Sequence, residues 1–190
     1  MEHGQDLGEQ SALGGVSPKD AYLAMMTLGA LYETGGEDIP LDWGLAFSCY
    51  EEAARLDGPE GYLALSRLCR QACIATEDAA LKEEYATYAR ITCDPETIAR
   101  FGWPEIALNV GVVCEHMAEF ADKASSLQTT KEEYYGFAAQ FFSLAAAMQD
   151  VNKPTAPALC TEALAKIQEL GYGIDRPPPS LAGNTTAPRV

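Results

Sequence analysis

The residues best suited to chemistry in this chain are its six cysteines, its two histidines and several paired acids. A nucleophilic thiol needs a base within hydrogen-bond reach, and His3 and His116 are the only imidazoles available. Cys114 and His116 lie two positions apart, which on a helix turns their side chains about 200° away from each other, so they do not form a dyad. His3 falls in a Gly-, Gln- and Glu-rich opening without periodicity. Cys69 and Cys73, at i and i+4, share one helix face and make half a metal site, but no second pair completes it, so two core thiols is the better reading. Glu51-Glu52, Glu83-Glu84 and Glu132-Glu133 fall on outward faces or first turns, where acids solvate a surface and complement helix dipoles. The acidic stretch EDIPLD at 37–42 lacks the alternating ligands and terminal bidentate Glu of a calcium loop, and no Gly-Lys phosphate loop occurs. The expectation is a protein with no catalytic residue, no metal and no cofactor.

Composition narrows the partners. A chain of 190 residues, 47% hydrophobic, is long enough to bury one substantial core. A net charge of −15 argues against a nucleic-acid backbone as ligand, because such binding needs clustered Lys and Arg. Residues 1–60 hold twelve acids against only Lys19 and Arg55, a net −10, which would steer a basic partner or simply keep the surface soluble. No apolar run approaches the roughly 18 residues of a membrane span, and no export signal is visible, so a cytoplasmic protein is expected. In that compartment the cysteines are expected to be reduced core residues.

The elements that must position any site read as helices throughout. Ser17-Pro18 with Asp20 starts the first, which runs to about Thr34, where Gly35-Gly36 stops it. Asp42 caps a second, ended near Gly58-Pro59; a third reaches about Cys73, a fourth covers about 79–93, and DPETIARFGWPE holds one short helical turn. Pro104 opens a long helix to about Ala124, Thr130 caps another to about Gln149, and a last one spans 156–170 before Gly171. In that last helix Leu159, Leu164 and Ile167 describe an apolar face, and Lys166, Gln168 and Glu169 a polar one, so it either caps the array or leaves an end through which a homodimer forms. Residues 1–16 are expected to be a flexible lead-in, 17–172 the helical domain, and 173–190, with RPPPSLAGNTTAPRV, a disordered Pro-rich tail.

The helices repeat. Leu28-Gly29 is matched by Leu65-Ser66 at a spacing of 37 and by Val110-Gly111 a further 45 residues on. Ala46, Cys49, Tyr50, Ala53 and Ala54 correspond to Ala138, Phe141, Phe142, Ala145 and Ala146, each shifted by 92. Small residues here let helix backbones approach, and the large ones fill the space between neighbouring hairpins, so Leu28, Gly29, Ala46, Tyr50, Ala53, Ala54, Leu65, Gly111, Ala138, Phe142 and Ala145 are expected to be packing residues. The glycine-rich acidic break at 35–42 is then the turn of one hairpin.

In order, Leu28, Gly29, Tyr32, Gly35, Asp42, Ala46, Tyr50, Ala53 and Ala54 resemble the Sel-one-like repeat, a helical-hairpin variant of the tetratricopeptide superfamily. The second and third copies depart from the pattern: Ser66 and Cys69 replace Gly and Tyr, 93–105 is an insertion, and the turn at 124–133 is longer. The resemblance, over about 21–150, implies an all-α fold, an α-solenoid of about three antiparallel hairpins with a C-terminal capping helix. It also implies a non-catalytic scaffold or adaptor, of a kind often bacterial, that binds another polypeptide. First helices of such an array line its concave face, which makes Tyr32, Glu33, Arg67, Arg70, Asn109 and Glu115 the candidate partner-binding residues. The acidic N-terminal half supports a second possibility, an immunity-type inhibitor that masks a basic toxin or nuclease.

Overall fold

The structure is a computed structural model that describes residues 17–56, 58–121, 129–148 and 156–171. The expected lead-in at 1–16, most of the long turn after the sixth helix and the Pro-rich tail from 173 lie outside the described residues. Among those described, the secondary structure is all helical, with no strand. The helices are α1 (Pro18–Thr34), α2 (Trp43–Arg55), α3 (Pro59–Ala75), α4 (Ala79–Thr92), α5 (Pro95–Phe101), α6 (Pro104–Ala121), α7 (Lys131–Ala147) and α8 (Ala156–Glu169).

Local chemistry sets these bounds. The Ser17 hydroxyl accepts from the Asp20 N–H ahead of Pro18, and Asp42, Asp78 and Asp94 cap α2, α4 and α5 in the same way. Thr130 and Glu133 form a reciprocal capping box on α7. The insertion at 93–105 is more ordered than the one turn expected: Asp94 takes the N–H groups of Glu96 and Thr97, and Gly102, left-handed at φ +65°, stops a seven-residue helix.

Helices adjacent in sequence pack together from α1 to α4 and from α6 to α8, and α3 also packs on α6. The larger core is built mainly by α3, α4, α6 and α7, with Ile98 of α5 and Ala163 and Ile167 of α8 closing it. A smaller core lies between α2 and α3, where Ala46, Tyr50 and Ala54 meet Ala64, Leu65 and Leu68. Phe47 joins the two, stacked on Tyr85 and edge-on to Tyr88 with ring centroids 5.6 Å apart in both pairs.

Small residues set the closest crossings. A Cβ added to Gly29 would fall 2.5 Å from the Tyr50 ring, one added to Gly111 would fall 2.5 Å from the Phe142 ring, and one at Gly61 would meet the Ala54 backbone nitrogen at 2.5 Å. The same contact, an aromatic ring lying on a glycine, thus joins α1 to α2 and α6 to α7. Ala46, Tyr50, Ala53, Ala54, Leu65, Ala138, Phe142 and Ala145 are all buried, as are Gly29 and Gly111. Leu28 departs from its expected packing role and is exposed, because among the described residues no helix lies over that side of α1. Leu164 departs too: α8 turns Ala163 and Ile167 inward and leaves Leu164 in solvent. The apolar face read at Leu159, Leu164 and Ile167 is therefore narrower by one residue.

Candidate functional site

The turn at 35–42 is stitched to its own hairpin. Gly35, at φ +70°, adopts a backbone conformation that a side chain would strain, and its N–H closes α1 on the Leu31 carbonyl. The Gly36 N–H reaches the Ile39 carbonyl at 2.7 Å, and the Asp42 N–H reaches back to the Tyr32 carbonyl at 2.8 Å. The Asp42 carboxylate accepts from the Leu45 N–H at 3.0 Å, so this acid serves as a helix cap.

That geometry places the end of α1 and the start of α2 beside the outer face of α3, and a groove of about 640 Å³ opens between them. Its walls carry Leu41, Trp43 and Ile74, with Leu41 and Ile74 exposed, and its polar groups include Glu33, Arg67 and Arg70. Glu33 is occupied internally: one carboxylate oxygen accepts both the Tyr50 hydroxyl and an Arg67 N–H, each at 2.6 Å. Burial, reinforced by the Glu33 carboxylate, pushes the Tyr50 phenol above its ordinary value. Arg70 donates to the Asn109 amide oxygen at 3.3 Å, and among the described residues its guanidinium has no carboxylate within ion-pair distance. Asn109 in turn donates to the Ser66 hydroxyl at 3.1 Å, tying α6 to α3 beneath the groove.

The six candidate partner-binding residues do not form one surface. Glu33, Arg67 and Arg70 line the groove, and Asn109 borders it through Arg70. Tyr32 packs against the α2–α3 core. Glu115 pairs with Lys166 at 3.1 Å, joins α6 to α8 and does not line the groove. Leu41, Trp43 and Ile74 escaped the sequence reading, because nothing in the type or spacing of an apolar residue tells an exposed groove wall from a core position.

The described thiols are poor nucleophiles as placed. Cys49, Cys69, Cys73, Cys93 and Cys114 are all free. Burial pushes Cys73 up to about 11 and Cys93 and Cys114 up to about 12, and it raises Cys69 further. Among the described residues, no group of three or more His, Cys, Asp and Glu converges as a metal site. No described helix is long and apolar enough to cross a membrane.

A second polar cluster was not foreseen. Lys82 is buried, donates to the Cys73 carbonyl at 2.7 Å and stands 4.9 Å from the centre of the Phe120 ring. Its other neighbour is His116, which faces α4 while Cys114 faces the core. One sign was present in the sequence: 79, 82, 86, 89 and 93 form a single helical stripe, otherwise Ala and Cys, with Lys82 on it.

The fold and groove define an all-helical protein with a mixed apolar and cationic cleft. Comparison with family models, with curated proteins and with solved structures finds no match.

Proposed function

We propose that this chain is a non-catalytic scaffold or adaptor, an α-solenoid of about three antiparallel hairpins closed by α8, that holds a polypeptide partner in the groove between α1, α2 and α3. The solenoid reading is supported by the repeated glycine-on-ring contact in α1/α2 and α6/α7, the kind of small-residue crossing from which Sel-one-like hairpins are built. The binding reading is carried by one observation: Arg70, without a carboxylate partner among the described residues, stands beside the exposed apolar walls at Leu41 and Ile74.

A guanidinium between apolar walls fits an acidic side chain or a terminal carboxylate flanked by an apolar residue. The groove therefore favours an acidic segment in the partner, where the charge of residues 1–60 alone pointed to a basic one. The raised thiol values argue only against Cys93 and Cys114 as nucleophiles. The test is to identify what co-purifies from the native cell, express it separately and titrate it against Arg70→Glu and Ile74→Asp. Affinity should fall at least roughly tenfold for each. An unchanged affinity would remove the groove reading. Tighter binding of Arg70→Glu, with steep salt dependence, would instead favour the immunity-type inhibitor of a basic toxin or nuclease.

A further inference from the structure

Among the described residues, the repeat register exposes an uncovered stacking face at one end of the helical array. Ala24, Thr27, Leu28 and Leu31 of α1 correspond, at the spacing of 37, to Gly61, Ala64, Leu65 and Leu68 of α3. A further 45 residues on, the same positions are Ile106, Asn109, Val110 and Val113 of α6. In α3 all four are buried, with Leu65 and Leu68 fully so beneath α2. In α6, Ile106, Val110 and Val113 are fully buried. In α1 all four are exposed, Leu28 by 38% and Leu31 by 37%. The stripe on α1 is shaped as the other two are, to receive a helix across it, and among the described residues none lies there.

We infer that this face is a two-fold interface with a second copy of the chain, α1 crossing α1 of its mate near Thr27 and Leu28. Charge selects that occupant. The chain carries −15 overall, so its copies repel unless they meet on a neutral surface, and residues 21–32, AYLAMMTLGALY, contain no charged side chain. Asp20, one turn before the stripe, lies opposite the far end of the mate in an antiparallel crossing, away from its own equivalent. Head-to-tail stacking is disfavoured because α8, at the other end, exposes Glu162, Gln168 and Glu169 around Leu164 and Ala165, a face that carries charge where the stripe on α1 carries none. An isologous dimer closes the open end and stops there. This inference uses the repeat register but not the groove, so either can fail without the other.

Sedimentation equilibrium or light scattering on the full chain, with circular dichroism as the check on folding, tests it. Thr27 is exposed and its hydroxyl bonds only to the Leu23 carbonyl, so Thr27→Arg disturbs the monomer little while placing two cations against each other at the two-fold axis. The expected result is a concentration-dependent wild-type dimer, with a dissociation constant raised at least about tenfold by Thr27→Arg and by Leu28→Glu and unchanged by Leu164→Glu at the capped end. A wild-type chain that remains monomeric at about 100 μM overturns the inference, since dimers of even modest affinity form there. So does a dimer that Thr27→Arg leaves intact or that Leu164→Glu dissociates.

Discussion

The ammonium of Lys82 lies 3.1 Å from Nε2 of His116, a cation and an imidazole in direct contact at the half-buried seam between α4 and α6. The arrangement holds only while the ring is neutral and Nε2 accepts. Burial lowers the imidazole pKa most and Lys82 lowers it further, while Glu119 and Glu77 pull it back up.

The folded chain therefore binds this proton at a lower pH than the unfolded chain does. The contribution is whole above the ordinary imidazole value of about 6.5 and is lost as pH falls from there through the folded-state value. Urea midpoints measured from about pH 7.5 to about pH 5.5 should decline for the wild type. His116→Gln, which keeps an acceptor but does not titrate, should show a shallower decline. Parallel curves for the two proteins would dismiss the Lys82–His116 contact as a source of pH dependence.

Glu33 and Arg67 form one ion pair, but they should not be equal in stability. The Glu33 side chain is 10% exposed and holds the buried Tyr50 hydroxyl as well as Arg67, whereas the Arg67 side chain is 50% exposed. Removing the acid strands a buried phenol, a loss of about 1–3 kcal/mol for Glu33→Ala. Removing the cation leaves an acid that still has its phenol donor and some access to water, a loss of about 1 kcal/mol or less for Arg67→Ala. Denaturation of the two variants checks the order, and a larger cost for Arg67→Ala would mean that Tyr50 is not the partner that matters.

The helices were legible because their signals are local. Ser17-Pro18, Asp42 and Thr130 are caps whose hydrogen bonds span three residues, and the structure uses each as a cap. Packing at Tyr50 and Phe142 was legible from the small residues that recur with them. Exposure was not. Leu28 and Leu65 occupy the same repeat position, yet only Leu65 is covered, because covering depends on which helix lies across the position and not on the residue itself. The same limit hid the groove, whose Leu41 and Ile74 read as ordinary apolar residues, and it grouped Glu115 with residues it does not adjoin. Lys82 was hidden for a different reason: a lone charge on an apolar stripe acquires its meaning from His116, 34 positions away.

The glycine at 61 sets how closely the end of α2 and the start of α3 approach. A methyl group there would lie 2.5 Å from the Ala54 nitrogen and 2.9 Å from its Cα, atoms that move only if the two helices separate. At Gly111 the obstacle is instead the Phe142 ring, 2.5 Å from the added carbon, which is buried but hangs on rotatable bonds. Overpacking costs about 1–3 kcal/mol, and alanine returns up to about 1 kcal/mol of helix propensity, so both changes should destabilise. Gly61→Ala should cost about 2 kcal/mol or more and Gly111→Ala about 1 kcal/mol, read from urea midpoints. If Gly111→Ala proved the costlier of the two, backbone contact would not be what fixes the α2–α3 spacing.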